Sequence, residues 1–138
     1  TYRGPRLIGV DLKKPSPKET SEKSPSATIV NLAEVPGVDC PCGIARRAFA
    51  DRDDFPGTVH LTSIHVDART HYHREHTEVY VILKCDEDAA IELDGELFPV
   101  SPLTSILIPP NVRHRAVGKM EVVILSLPDF DPADEHFD

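Results

Sequence analysis

Little in this chain points to a membrane, to nucleic acid or to a secreted scaffold. No stretch approaches the roughly 20 apolar residues of a membrane-spanning helix. No charged-then-apolar leader is visible either, although a chain that starts on Thr1 gives that absence little weight. Basic charge is in deficit. Fifteen Lys and Arg against 23 Asp and Glu leave a net charge of −8, which argues against a general basic surface for nucleic acid. Cysteine is sparse: Cys40 and Cys42 flank Pro41, and Cys85 stands alone. An odd set of this kind is no disulfide framework, and the Cys-Pro-Cys spacing is too short for a four-cysteine zinc site. Reduced thiols in a cytoplasmic protein are the expectation, with a redox pair at Cys40 and Cys42 as the lesser reading. Long helices are not expected, because no segment carries an apolar stripe of 3.6-residue period over three turns.

What is present fits one small β domain. The 138 residues are close to the common size of a single domain, and 40% hydrophobic with 28% charged residues is ordinary for a soluble fold. Thirteen prolines punctuate the chain and favour loops. Residues 1–27 read as an arm or linker. Its stretch 13–27 is rich in Lys, Pro, Ser and Glu, and a short strand is predicted at 7–12 from Leu7, Ile8, Val10 and Leu12. Such a detached strand pairs with a sheet edge, sometimes on a second subunit. Residues 28–127 form the barrel, and 128–138 an acidic tail with Asp129, Asp131, Asp134, Glu135 and Asp138. Both ends are read as solvated.

Within 28–127 short apolar runs alternate with Pro, Gly, Asp and Asn. Strands are predicted at Thr28–Leu32, Ala45–Phe49, Thr58–Val66, Glu78–Leu83, Ala89–Leu93, Leu97–Pro99, Ser105–Ile108, His114–Val117 and Glu121–Ser126. Asp94-Gly95 signals a hairpin, and Pro109-Pro110-Asn111 a turn.

The chemistry concentrates in two places. His71 and His73 are two apart, so in an extended chain they project from one face. After a short turn Glu78 opens an apolar strand on which Glu78, Tyr80 and Ile82 share one face and Val79, Val81 and Leu83 the other. Further on, the run Ile106–Ile108 leads through the Pro-rich turn to His114. Imidazoles suit Fe, Ni, Cu and Zn, and a carboxylate also accepts Mn. Three histidines and a glutamate in this pattern are hard to explain as packing, because buried charge is costly without a partner.

The spacing His71-x-His73, four residues, Glu78, followed later by Pro109 and His114, resembles the two motifs of the cupins. The resemblance covers about residues 58–126. It implies an all-β, cupin-type double-stranded β-helix, a jelly-roll barrel of around eight core strands, here with an N-terminal arm. It also implies one divalent metal ion (Fe, Mn, Zn, Ni or Cu) on His71, His73, Glu78 and His114. The chain departs from the motifs at their glycines, where it has His65, Cys85, Leu103 and Asn111, and Gly118 stands at a motif Asn. Turn geometry is therefore in question while the ligand positions are intact.

By parity with Glu78, Tyr80 faces the pocket, and Tyr80 and His76 are the candidate proton-handling groups. For His76 a place on the surface of the turn competes with that role. Arg46, Arg47, Arg113 and Arg115 are candidates to pair with a substrate carboxylate or phosphate. His60 and His65 lie on opposite faces of their strand, so at most one faces the interior. Two functional readings follow. One is a metal-dependent enzyme acting on a small organic molecule, of dioxygenase or sugar isomerase/epimerase type. The other is a non-catalytic module binding a sugar or organic acid. A small-molecule ligand and a homodimer built by sheet packing are expected, with no nucleic-acid or membrane partner.

Overall fold

A computed structural model describes residues 26–138. The predicted strand at 7–12 and most of the arm lie outside the described residues. Nine strands follow: β1 Val38–Cys40, β2 Gly43–Ala48, β3 Thr58–Ile64, β4 Thr77–Cys85, β5 Ala90–Leu93, β6 Glu96–Pro99, β7 Ser105–Ile108, β8 His114–Val117 and β9 Met120–Leu127. They form a six-stranded sheet in the order β1-β2-β3-β9-β4-β7 and a three-stranded sheet in the order β6-β5-β8. Every pairing is antiparallel. The two sheets face each other in the all-β jelly-roll arrangement predicted from the motifs. Among the described residues no helix is long and apolar enough to cross a membrane.

Period-two alternation decides which side chains fill the barrel. Thr58, His60, Thr62 and Ile64 point inward from β3, Glu78, Tyr80 and Ile82 from β4, and Met120, Val122, Ile124 and Ser126 from β9. Ile91 and Ala116 meet them from the small sheet. The apolar members of this set, with Ala89, Val100 and Ile108, make the core. Full burial of side chains such as Ile82 and Ile91 contributes about 1.5–3 kcal/mol each. Most polar members of the same rows, Thr58, His60, Glu78 and Ser126, lie toward one end, while Thr62 sits level with Val122 and Ile82. Registration across β3, β9 and β4 thus separates a dry half from a polar half.

Three local expectations are corrected. Thr28–Leu32 is not a strand: Asn31 Oδ1 accepts from Ala33 N at 3.0 Å and caps a 3₁₀ turn over Leu32–Glu34. Conversely, β1 at Val38–Cys40 is a strand where none was predicted. Pro41-Cys42 is the tight turn itself, with Cys40 paired to Gly43. The third concerns the C-terminus. It is acidic, but it is no solvated tail. His136 pairs with Tyr72 through N–H···O bonds of 3.0 and 2.9 Å, and Asp134 is buried.

The replaced motif glycines find separate explanations. Leu103 and Asn111 keep the left-handed backbone that glycine would supply, at φ +72° and +70°. Asn tolerates this conformation, whereas Leu carries a steric cost of roughly 1–2 kcal/mol. Cys85 instead ends β4 within the sheet, paired with Met120. His65 is exposed just beyond β3.

Candidate metal centre

The segment before β4 has few apolar residues to bury, yet it is pinned on both sides. His71 exchanges main-chain hydrogen bonds with His114 at 3.1 and 2.9 Å, which lays the segment beside β8. The next residue, Tyr72, is held by His136 on the opposite edge. Residues two apart then face one way, and His71 and His73 turn toward His114. Their ring centroids stand 4.3 and 5.5 Å from that of His114. Glu78 arrives from β4 on the other sheet. Its carboxylate oxygens lie 3.4 Å from His73 Nε2 and 3.3 Å from His114 Nε2. Glu78, His73 and His114 are 4%, 3% and 0% exposed, and His71 is partly exposed at the cavity.

Each imidazole is oriented by the backbone. The Nδ1 atoms of His71, His73 and His114 lie 2.9 Å from the carbonyl oxygens of Arg69, Asp134 and Val112. A carbonyl only accepts, so each Nδ1 carries the proton and each Nε2 lone pair is directed inward. Metal-binding histidines are held in this manner. Among the described residues, His73 Nε2, His114 Nε2 and Glu78 Oε2 are buried with no hydrogen-bond partner. One ligand atom from each of His71, His73 and His114 fits within a span of 4.8 Å. Glu78 approaches that trio from the His73 and His114 side. Around a zinc ion with bonds of about 2.0–2.1 Å, neighbouring ligand atoms stand roughly 3.3 Å apart, which matches the spacing of Glu78 to His73 and His114; the three histidines suit a divalent cation in type, within a span of 4.8 Å.

The electrostatics agree with this geometry. Burial pushes Glu78 up, but His114 and His73 outweigh it and hold the carboxyl well below its ordinary range. Burial pulls His73 down, yet Glu78 and the Asp134 carbonyl win, and its proton affinity is raised. His71 is depressed to about 4 by burial and by His114. Converging lone pairs around an ionised carboxylate need a positive charge among them, supplied by a proton or by a metal ion.

The predicted residues separate in space. His71, His73, Glu78 and His114 come together. Tyr80 lines the same cavity, and burial with the Glu78 charge pushes its hydroxyl well above 10. His76 does not line this cavity. It is 2% exposed, so the surface reading is corrected, and both nitrogens face the C-terminal segment. Nε2 donates to the Asp129 carbonyl at 2.7 Å, and Nδ1 lies 2.7 Å from Asp134 Oδ2. Asp134, which sequence reasoning passed over, is the hub. Its carboxylate accepts from the N–H groups of Arg74, Glu75 and His76 at 2.9, 2.9 and 3.1 Å. These contacts also account for a second grouping of His73, His76 and Asp134. No local signal could have found it, since its partners lie about sixty positions away.

The cavity beside the centre holds about 280 Å³ and is lined by Cys40, Cys42, Arg47, His60, Arg69 and Phe130 as well as His71, His73, Glu78 and Tyr80. Of the four candidate arginines only Arg47 reaches it. Arg46 donates to the Val35 carbonyl, Arg113 pairs with Asp138 at 2.9 Å, and Arg115 pairs with Glu92 at 2.9 Å.

No family model matches the chain, and no curated protein matches it. Solved structures do. A protein from Planctomyces limnophilus is 47% identical with a TM-score of 0.79, over 81% of this chain and 97% of that one. The Streptomyces nucleoside dehydratase Pac13 is 20% identical with a TM-score of 0.68, over 80% and 90%. Ectoine synthase from P. lautus is 17% identical with a TM-score of 0.66, over 80% and 88%. The likeness to these last two shows a shared fold.

Proposed function

We propose that this chain, which shares the fold of cupin proteins, is a metal-dependent enzyme acting on a small organic molecule. One divalent ion is held by His71, His73, Glu78 and His114. The observation that carries this reading is the convergence of unpartnered, buried Nε2 and carboxylate atoms whose rings are fixed by backbone carbonyls. Such orphaned polar groups cost about 1–3 kcal/mol each unless something binds them. Fold neighbours named as a dehydratase and a synthase are in keeping with an enzyme of this size.

A bound divalent ion supplies Lewis acidity to a substrate oxygen, or a site for dioxygen if it is iron. The chain supplies the remainder. Tyr80, held protonated by burial and by Glu78, offers a hydroxyl donor at the cavity and is the preferred proton-handling group. His76 serves instead by fixing the loop that carries His73, through Asp129 and Asp134. Apolar walls at Ile124, Phe130 and Phe137 restrict water. The proposal includes a cytoplasmic homodimer. Its face is the outer side of the large sheet, where Val79, Val81, Val123 and Leu125 stay partly exposed and Leu107 is 66% exposed.

Metal analysis tests the centre. The purified protein is expected to hold one equivalent of a divalent metal, and His73→Ala to lose it by at least tenfold in affinity. Unchanged stoichiometry and affinity in His73→Ala would sink the ligand assignment. Iron with oxygen consumption selects the dioxygenase branch, and zinc or nickel without it the isomerase branch.

A further inference from the structure

The candidate metal ligands come from β4, β8 and the segment before β4. On β3, two strands from β4 in the large sheet, a second polar group stands unused. His60 is 4% exposed, lines the cavity, and its Nε2 has no hydrogen-bond partner among the described residues. Its other nitrogen is engaged. Arg47, directly opposite in the β2–β3 register, donates Nε–H to His60 Nδ1 at 3.2 Å. A guanidinium has donors only, so Nδ1 must be the acceptor. The ring proton is thereby placed on Nε2, inside the cavity, with nothing to receive it. Burial and the Arg47 charge lower the pKa of His60 to about 4, so the ring is a neutral donor near pH 7.

Arg47 is itself incompletely used. Its guanidinium carbon sits 4.6 Å from the centroid of Phe130, whose ring also meets His60 edge-on at 5.2 Å. No carboxylate of the described residues pairs with it, in contrast to Arg52, Arg113 and Arg115. Phe130 clamps the guanidinium and leaves its terminal N–H groups for another acceptor. Across the sheet His60 pairs with Ile124, and Ile124 with Tyr80. Two strand spacings of about 4.8 Å put His60 and Tyr80 roughly 10 Å apart at the backbone, both pointing inward. Asp39 and Glu135 also line the cavity, but Asp39 is exposed and Glu135 half-buried, and Arg69 stands among them. Arg47 and His60 are therefore two donors on the cavity wall with no carboxylate paired to either, beside Cys40, whose thiol pKa is lowered to about 6 chiefly by Cys42 and in small part by Arg47.

We propose that Arg47 and His60 form an oxyanion-binding subsite. The molecule that occupies the cavity carries a carboxylate or phosphate group held there, while its other end reaches the centre at His71, His73, Glu78 and His114. The second half of this statement rests on the metal reading above; the first half does not. An acid or a phosphorylated compound is selected over a neutral sugar, because a neutral hydroxyl satisfies the His60 proton but leaves the guanidinium without a counter-charge.

The test is long-range proton–nitrogen NMR of the histidine rings in the full chain, metal-free and zinc-loaded, titrated with inorganic phosphate, acetate and glucose. His60 is expected as a neutral ring protonated on Nε2. Its signal is expected to shift saturably with phosphate, acetate or both, with a midpoint in the millimolar range, while exposed His65 stays still. Phosphate alone identifies a phosphoryl group, and acetate alone a carboxylate. Arg47→Gln should weaken the midpoint about tenfold or more. Arg47→Lys, which keeps the charge and loses the Nε–H donor, should fall between and provides the answer if the first variant does not fold. No saturable shift with either anion, an unchanged midpoint in both variants, or a response to glucose alone would overturn the subsite. The two readings fail separately. Stoichiometric zinc binding without an anion response removes the subsite and keeps the metal centre. A saturable anion response in a protein that takes up none of zinc, iron, manganese, nickel or copper keeps the subsite and removes the metal centre.

Discussion

Removing the Asp134 carboxylate should loosen both the C-terminal clamp and the candidate metal centre. Its oxygens accept the N–H groups of Arg74, Glu75 and His76 and approach the rings of His76 and His136 at 2.7 and 3.2 Å. In Asp134→Ala water can reach the N–H groups of Arg74 and Glu75, which lie on exposed residues. The N–H of His76 is buried and would lose its partner. One orphaned buried donor costs about 1–3 kcal/mol, and the lost charge-assisted bonds add to it, so a loss of about 2–4 kcal/mol is expected. The same contacts also set the acidity of the carboxyl, which gives a second figure. Burial pushes this carboxyl up, but the N–H groups and the His136 ring outweigh burial and bring it from 3.8 to about 2. A carboxyl depressed in the folded state stabilises fully above its unfolded pKa and loses that contribution as pH falls through the folded value. The span from 3.8 to about 2 is worth about 2 kcal/mol, and the window is the same interval. Urea unfolding of chelator-treated wild type and Asp134→Ala, from neutral pH to about pH 2, should give curves that differ at neutral pH and converge toward the acid end. Asp134→Asn should recover only part, because either orientation of the amide sets its NH₂ against a backbone N–H. A difference below about 0.5 kcal/mol at neutral pH, or one that does not change with pH, would refute the reasoning.

Other perturbations test the barrel. A Cβ on Gly43 would lie 1.9 Å from the Ser63 carbonyl oxygen, so Gly43→Ala should part β2 from β3 and cost more than about 2 kcal/mol in urea unfolding. Leu103 is 76% exposed at φ +72°, so Leu103→Gly should stabilise by up to about 1 kcal/mol; clear destabilisation would show that the left-handed backbone is not under strain there. Leu107→Glu, on the proposed dimer face, should shift light-scattering mass from dimer to monomer with the unfolding midpoint little changed. A monomeric wild type would remove the dimer.

Much of the barrel was legible because its signals are local. Alternating apolar residues located β3, β4, β5, β7, β8 and β9 to within a few positions, since one face of each is buried and the period is two. The hairpin at Asp94-Gly95 followed from turn chemistry, and Asp94 and Gly95 both take positive φ. The strand Val38–Cys40 was missed because a tight turn of Pro41 and Cys42 looks like the end of structure. The C-terminus was misjudged for a different reason. Acidic composition predicts solvation, and nothing near Asp134 announces that unpaired N–H groups of residues 74–76 await it.

By itself the sequence determined the donors and their parity: His71 and His73 on one side of an extended segment, Glu78 at the head of an inward-facing row, and His114 after a proline turn. Those relations depend on spacing along the chain, which the period of a strand converts directly into direction. Tertiary structure decided what spacing cannot encode. Carbonyls of Arg69, Asp134 and Val112 chose which nitrogen of each ring faces the centre. The C-terminal segment drew His76 away from the cavity, and the β2–β3 register set Arg47 against His60. A hydrogen bond between distant segments exists only once the sheets have brought them together, so its chemistry appears at the level of the fold.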